Sequence, residues 1–208
     1  PGKQKDGNIM SFQYFMPTKV IAGQRCIVEQ AAAMKTLGTK ALIVTGARSA
    51  KVNGSQDDVV KALEANGQPH VVFDQVMSNP TVQCAYDGAA LARAEGCDFF
   101  IAIGGGSPMD AAKAMALLAA QDKAIPPAEI FSTAYTRALP VVAVPTTAGT
   151  GSEVTQYAIL TNDAAETKTS IATPLIFPAL AYLDPLYMKS LGRTVTINTA
   201  VDALSHSM

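Results

Sequence analysis

The sequence of 208 residues predicts an α/β fold, in which helices cover both faces of a doubly wound, mostly parallel sheet. Short apolar runs alternate along the chain with segments of helical spacing. The apolar runs are hydrophobic at nearly every position, which is typical of strands that are buried on both faces. Glycine closes most of these runs and segments, as expected for tight turns between strands and helices.

Three strand–helix pairs and a fourth strand are predicted in the first two thirds of the chain. The strands are predicted at 40–46, 70–76, 98–104 and 138–145, and the helices at 56–67, 81–96 and 107–120. Before them, residues 12–23 alternate weakly and predict an edge strand or a hairpin. An apolar edge strand can pair across a two-fold axis, so we expect a homodimer.

The pattern then changes toward the end of the chain. Residues 155–162 and 167–174 flank a short polar segment and predict a β-hairpin, and residues 178–185 predict one more buried strand. The run 194–208 is helical and has no C-cap residue. We therefore place a domain boundary near Gly192 and expect the natural protein to continue.

The composition argues against several classes of partner. The net charge is -1 and no cluster of Lys or Arg is present, so we expect no binding to nucleic acid. No run reaches the ~18 apolar residues of a membrane span, and no signal peptide is visible, so we expect no membrane association. Cys26, Cys84 and Cys97 are isolated and odd in number. They indicate ordinary thiols in a reducing compartment, which predicts a cytoplasmic protein.

The stretch IAIGGGSPMDAAKAMA (101–116) predicts a strand that ends at Gly104 and a helix that begins at Ser107. Ser107 suits the N-cap, Pro108 the first helical position and Asp110 the first turn. The glycines keep side chains away from the helix start, where free N–H groups and the helix dipole favour an anion such as pyrophosphate. An ordinary tight turn explains an isolated GGGS equally well.

A second loop favours the ligand-binding interpretation. The stretch VPTTAGTGSEVT (144–155) also follows a buried strand and ends in a helix-start signal. Thr146, Thr147 and Thr150 supply hydroxyl groups, and two glycines give access to the backbone. Because the carboxyl ends of parallel strands lie at one edge of a sheet, two such loops predict a ligand crevice.

Asp202 and His206 lie four residues apart in the last predicted helix, so they share one helix face. A carboxylate and an imidazole so placed can bind one divalent metal. Considered alone, the pair is better explained as a surface Asp–His contact, since nothing in the sequence completes a four-ligand set.

Five motifs together resemble the iron-containing (group III) alcohol dehydrogenase family. They are NPT (79–81), GGGSPMDAAK (104–113), PTTAGTGSEVT (145–155), LDP (183–185) and DALSH (202–206), in the order and spacing of that family. The resemblance implies a dinucleotide-binding α/β domain over residues 1–192. Residues 193–208 are then the first helix of an all-helical metal-binding domain, which this sequence contains in truncated form, and the active site lies in the cleft between the two.

The resemblance also implies which residues bind the cofactor and the metal. It assigns the pyrophosphate to Gly105, Gly106 and Ser107 with support from Asp110, the cofactor trough to Thr146, Thr147 and Thr150, and the ribose and nicotinamide half to Asn79 and Lys168. Asp202 and His206 become the first two ligands of Fe²⁺, and the same ligands also suit Zn²⁺. The two remaining family ligands are histidines further along the chain, so we expect the 208 residues alone to be inactive.

The activity implied is the interconversion of short primary alcohols and aldehydes with a nicotinamide cofactor. The metal acts as a Lewis acid on the alcohol oxygen and so promotes hydride transfer to the nicotinamide ring. No side-chain nucleophile is required. Two alternatives stay open: a relative of glycerol dehydrogenase, and a nucleotide-binding fragment without catalysis.

One departure from the family bears on cofactor choice. Members that use NAD often carry an acidic residue after the first strand, where it bonds the ribose 2′-hydroxyl. Gly46 stands at that place, and Arg48, Ser49 and Lys51 are close enough in sequence to bind a 2′-phosphate. We therefore expect NADP(H) to be preferred over NAD(H). The alternative is that Gly46 serves only a turn.

Overall fold

The computed structural model describes residues 13–162 and 165–208. The strands in this part of the chain are Lys19–Ala22 (β1), Ala41–Thr45 (β2), His70–Phe73 (β3), Phe99–Gly104 (β4), Val141–Pro145 (β5), Tyr157–Asn162 (β6), Thr167–Ala172 (β7) and Leu180–Leu183 (β8). The α-helices are Cys26–Glu29 (α1), Ser49–Val52 (α2), Ser55–Asn66 (α3), Val82–Ala94 (α4), Gly106–Ala120 (α5) and Arg193–Ser207 (α6).

Six of the strands form one parallel sheet in the order β1-β8-β5-β4-β2-β3. Successive residues of a strand point to opposite faces, and both faces of this sheet are buried. Ile43 packs with α1 and α3 in one apolar cluster, whereas Leu42 and Val44 pack with α4 and α5 in another. The predicted doubly wound α/β fold is confirmed, and its central strands read as continuous apolar runs because no face of them meets water.

The two segments outside the central sheet pattern also follow the sequence. β6 and β7 form the predicted antiparallel hairpin, in which Tyr157 pairs with Ala172 and Leu160 with Thr169. The N-terminal segment provides an edge strand, because among the described strands β1 pairs only with β8. Phe12, at the start of that predicted segment, lies outside the described residues.

The predicted start of the glycine-loop helix is wrong. Helix α5 begins at Gly106 and its N-cap is Gly105, so Ser107 is not the cap and Pro108 is not the first helical residue. The Ser107 hydroxyl instead accepts a hydrogen bond of 3.3 Å from the backbone N–H of Asn79. The hydroxyl that the sequence assigned to a local cap therefore has a partner elsewhere in the chain.

The helix start predicted after the threonine loop is also wrong. Only a three-residue 3-10 turn forms, at Ser152–Val154, before the chain enters β6. The Nζ of Lys113 donates to the Ser152 carbonyl at 2.6 Å, and the same carbonyl accepts from the backbone N–H of Thr155 at 3.5 Å. The chain turns into the hairpin instead.

Helix α6 begins after Gly192, where the sequence predicted the domain boundary. None of its residues is buried, and Val195, Ile197, Val201 and Leu204 are 44% to 60% exposed. No helix in residues 13–162 and 165–208 is both long and apolar enough to cross a lipid bilayer.

Candidate functional site

Two loops meet at the carboxyl edge of the sheet. All six strands are parallel, so β4 and β5 end side by side, with Gly104 paired to Pro145. The backbone N–H of Thr146 donates to the Gly104 carbonyl at 2.8 Å. The glycine loop and the threonine loop, which the sequence predicted to be neighbours, are therefore directly bonded to each other.

The glycines of the first loop leave an open space above helix α5. Gly104 has φ +147°, a conformation that L side chains rarely adopt, and a Cβ there would lie 2.7 Å from Pro108. Cβ atoms at Gly105 and Gly106 would lie 3.1 Å from Thr147 Oγ1 and 3.2 Å from Thr150 Cγ2. Any larger residue would fill the space between the helix start and these threonines.

The start of α5 has the properties of an anion site. The first N–H groups of any helix lack an intrahelical acceptor, and here no side chain caps them either. The helix has 15 residues, and its dipole places partial positive charge at this end. A phosphate group at the glycine loop would receive these N–H donors.

Three cavities adjoin the glycine loop and share Gly106 in their walls, and two of them extend from it in different directions. The smaller, of about 250 Å³, lies between the loop and the end of β2, and Gly46, Ser49 and Val76 line it. The larger, of about 830 Å³, extends in the other direction as far as helix α6. Together they form a trough suited to an extended ligand with an anionic centre.

A hydrogen-bond network beneath this trough joins helix α5 to the end of the threonine loop. Lys113 is fully buried, and its Nζ donates to the Ser152 hydroxyl at 2.9 Å and to the Tyr157 carbonyl at 3.0 Å. The Ser152 hydroxyl donates to Asp110 at 2.8 Å. Asp110, predicted to support the glycine turn, therefore supports the opposite loop as well.

Burial shifts the pKa of both charged groups in this network. It lowers the pKa of Lys113 to about 8, although the nearby Asp110 carboxylate acts in the opposite direction. Burial raises the pKa of Asp110, against the hydrogen bond from Ser152 and the charge of Lys113. No role for Lys113 was expected from the sequence. A lone lysine three residues after Asp110, in an otherwise apolar helix, was the signal that could have identified it.

Asn79 and Lys168 lie at one wall of the larger cavity. The Lys168 Nζ donates to the side-chain oxygen of Asn79 at 2.7 Å. Asn79 has φ +57° and its N–H bonds to Ser107, so this wall is tied to the glycine loop. The structure thus brings these two predicted residues together, next to the helix start.

Asp202 and His206 share one face of α6, as their spacing predicts, and both line the larger cavity. Asp202 Oδ1 lies 3.8 Å from His206 Nε2, and both side chains are accessible to solvent. Among the described residues, no group of three or more His, Cys, Asp and Glu side chains could hold a metal ion. The pair supplies one oxygen and one nitrogen ligand, a donor set that fits part of the coordination of Fe²⁺ or Zn²⁺.

Near the end of β2, the structure contains one contact that was not expected from the sequence. Gly46 and Ser49 line the smaller cavity, and Arg48 is exposed beside them. Lys51, considered from its sequence position as a ligand for a 2′-phosphate, is bonded to Asp74 at 2.7 Å. Asp74 was not expected from the sequence, because its partner Lys51 is 23 residues away.

Comparisons with known proteins agree with this architecture. The family model for iron-containing alcohol dehydrogenases matches residues 17–185. The chain is 34% identical over 196 residues to the NAD-dependent methanol dehydrogenase of Bacillus methanolicus, covering 94% of this chain and 51% of that protein. It is 36% identical over 205 residues to a 1,3-propanediol dehydrogenase of Citrobacter freundii, covering 95% and 51%.

Solved structures give the same result. An iron-containing alcohol dehydrogenase of Thermotoga maritima superposes with a TM-score of 0.88 at 39% identity, covering 95% of this chain and 54% of that one. A sulfoacetaldehyde reductase of Bifidobacterium kashiwanohense, solved in complex with NAD⁺, has a TM-score of 0.81 at 31% identity, covering 95% and 52%. The chain spans about half the length of the relatives it matches.

Proposed function

The chain belongs to the iron-containing alcohol dehydrogenase family, and we propose that it binds the dinucleotide of an enzyme that interconverts alcohols and aldehydes. One observation carries this proposal: an uncapped helix start faces a glycine loop, and a cavity opens on either side of it. We assign residues 1–192 to the dinucleotide-binding domain and residues 193–208 to the first helix of an all-helical metal-binding domain. Short primary alcohols are the proposed substrates.

The proposed cofactor lies along the trough with its pyrophosphate at the glycine loop. The N–H groups of Gly106 and Ser107 donate to the phosphate oxygens, and Thr147 and Thr150 close the opposite wall. The adenosine half occupies the smaller cavity. Asn79 and Lys168 stand beside the ribose and nicotinamide half in the larger cavity.

We propose NADP(H) as the preferred cofactor over NAD(H). Gly46 puts no negative charge at the end of β2, and the exposed Arg48 and the Ser49 hydroxyl can bind a 2′-phosphate. Among the relatives, one is named for NAD dependence and one is solved with NAD⁺. The proposal of NADP(H) therefore depends on these residues of the chain, and a direct comparison of both dinucleotides tests it.

Asp202 and His206 are the proposed first two ligands of Fe²⁺, with Zn²⁺ as the alternative. A divalent metal at this place supplies Lewis-acid polarisation of the alcohol oxygen. The chain's own contribution is to hold α6 close to the threonine loop. A Cβ at Gly149 would lie 2.8 Å from the Thr199 carbonyl and 3.3 Å from Asp202 Oδ2, so glycine permits this close approach. The metal pair and the cofactor trough are thereby kept in one cavity.

The decisive experiment fills the space above α5. The change Gly106→Val places a side chain against Thr150, and we expect it to raise the Kd for NADPH by about tenfold or more. Gly192→Val is the matched control, because a Cβ at Gly192 meets nothing within 4 Å. Fluorescence titration of the 208-residue chain measures both variants. An unchanged Kd in Gly106→Val would contradict the assignment of the pyrophosphate to this loop.

A nucleotide-binding module without turnover is the second candidate. The observation that favours it is the two-ligand set that the described part of the chain offers a metal. We accordingly expect the isolated chain to bind a dinucleotide without oxidising alcohol, and iron-dependent oxidation of ethanol by the chain alone would refute this. No observation favours the alternative of a glycerol dehydrogenase relative. The homodimer and the cytoplasmic location remain predictions.

A further inference from the structure

An ion pair lies at the adenosine end of the trough and has no role in the function proposed above. Lys51, in helix α2, donates to Asp74 Oδ2 at 2.7 Å, and Asp74 directly follows β3. The hydrogen bond and the charge of Lys51 lower the pKa of the Asp74 carboxyl, so Asp74 is ionised at neutral pH. The two side chains are 50% and 41% exposed, so a ligand can reach both groups.

The ion pair joins the two chain segments that carry opposite walls of the smaller cavity, although neither Lys51 nor Asp74 lines the cavity itself. Ser49 lines one wall and lies two residues before Lys51. Val76 lines the other wall and lies two residues after Asp74. β2 and β3 are paired in register, with Val44 opposite Phe73, so Asp74 leaves the sheet at the same edge as Gly46.

We propose that Asp74, through its hold on Lys51, is a specificity-determining residue that limits the preference for NADP(H) over NAD(H). This inference rests on the proposed function. A 2′-phosphate at this end of the cavity would be attracted by the Lys51 ammonium. The Asp74 carboxylate competes for the same ammonium and also repels the phosphate. NAD(H) carries an uncharged 2′-hydroxyl at this place, and that hydroxyl can donate a hydrogen bond to a carboxylate.

The exposure of the pair makes this competition effective. Exposed ion pairs contribute little to stability, so Lys51 can leave Asp74 for a more highly charged partner. A phosphate monoester carries more negative charge than a carboxylate at neutral pH. The two residues therefore act in opposite directions on the same ligand: Lys51 favours the 2′-phosphate, and Asp74 disfavours it.

The test measures the Kd values of NADP⁺ and NAD⁺ for the 208-residue chain, its Asp74→Asn and Lys51→Gln variants and the double variant, by calorimetry at low ionic strength. Asp74→Asn should tighten NADP⁺ by roughly threefold to tenfold without tightening NAD⁺. Lys51→Gln should weaken NADP⁺ by a similar factor and leave NAD⁺ unchanged. The same differences should appear between 2′,5′-ADP and ADP, and 0.5 M salt should reduce them, since salt of about that strength screens exposed charges.

A second exposed ion pair provides the matched control. Lys40 bonds to Glu95 at 3.0 Å, before the start of β2 and after the end of α4, at the opposite edge of the sheet. Glu95→Gln should change the Kd of neither dinucleotide. The Glu95→Gln variant therefore distinguishes an effect of a charge beside the smaller cavity from a general effect of the net charge of the chain.

The outcomes distinguish this inference from the proposed function. A wild-type chain that binds neither dinucleotide contradicts the proposed function, and the inference falls with it. A wild-type chain that binds dinucleotides, with an NADP⁺-to-NAD⁺ ratio unchanged in Asp74→Asn and Lys51→Gln, overturns the inference alone. Thermal melting checks that both variants fold. If Asp74→Asn does not fold, Lys51→Gln decides, because an equal loss for both dinucleotides would contradict a role at the 2′ position.

Discussion

The two walls of the larger cavity are built in opposite ways. The wall beneath the threonine loop rests on Lys113, a fully buried charge with four hydrogen-bond acceptors within 3.4 Å. The wall opposite is helix α6, where Asp202 and His206 are exposed and no residue is buried. Both walls line one proposed site, but only the first is held by interactions that folding itself requires.

This difference separates stability from binding. A buried charge that loses its partners is costly, so changes in the Lys113 network should destabilise the fold as well as the site. An exposed carboxylate and imidazole contribute little to folding. Changes at α6 should therefore affect a bound metal and leave the fold intact. Four experiments test that contrast, from the largest expected effect to the smallest.

Lys113→Met should have the largest effect. It leaves the partly buried Asp110 carboxylate without the nearby cation, and the carbonyls of Ser152 and Tyr157 without the Lys113 donor, at a cost of about 3–5 kcal/mol. Urea unfolding followed by circular dichroism gives the free energy of unfolding. Lys61→Met is the control, since Lys61 is exposed and lies 3.5 Å from Asp58. A loss in Lys113→Met no larger than in the control would refute the role of the network.

Ser152→Ala should come second. It removes only the hydroxyl that links Lys113 to Asp110 and leaves both charges in place. We expect a loss of about 1–2 kcal/mol, the cost of unpaired buried hydrogen-bonding groups. Ser205→Ala on α6 is the control, because the Ser205 hydroxyl bonds to the Asp202 carbonyl on an exposed helix. Equal losses of unfolding free energy in the two variants would show that the two walls contribute equally to stability, contrary to our expectation.

The pH dependence of stability should show the buried lysine directly. Its pKa in the folded chain is about 8, below the ordinary lysine value of 10.5, so between these values the unfolded chain binds more protons. Stability from this group therefore rises with pH through that window, by about 1 kcal/mol between roughly pH 8 and pH 9. The measurement is the slope of unfolding free energy against pH in wild type minus that in Lys113→Met. A difference of zero or of negative sign would contradict the depressed pKa.

Asp202→Asn and His206→Gln together should have the smallest effect on folding, below about 0.5 kcal/mol, because both side chains are exposed. The same double variant should lose Co²⁺ binding, measured by absorption titration with cobalt as a spectroscopic substitute for Fe²⁺ or Zn²⁺. Metal affinity equal to wild type would exclude the pair as ligands. A large loss of unfolding free energy would instead show that these α6 side chains contribute to folding, as the Lys113 network is expected to do.

Most of the fold follows from local sequence pattern. The apolar runs at β2, β4 and β5 predict buried parallel strands because nearly every position in them is hydrophobic. The hairpin of β6 and β7 follows from two β-rich segments around a polar turn. The precise start of α5 did not follow, because the sequence does not show that the Ser107 hydroxyl bonds to the distant Asn79 rather than serving as a local cap.

The residues of the candidate site divide in the same way. The glycine loop and the threonine loop are predictable, since each lies within one short stretch. The metal role of the Asp202–His206 pair was implied only by the family resemblance, because the spacing alone favours a surface contact. The Lys113–Ser152 bond spans 39 residues and the Lys51–Asp74 bond spans 23. Nothing in the sequence between such partners specifies that they meet.

The sequence by itself thus determined the alternation of strands and helices, the two loops at the sheet edge and the family, because these depend on patterns within a few residues. The tertiary structure alone decided which charges pair: Lys113 beneath the threonine loop, and Lys51 with Asp74 beside the smaller cavity. The physical reason is that charge pairing depends on distance and burial in the folded chain, and both arise only when the sheet brings separate segments together.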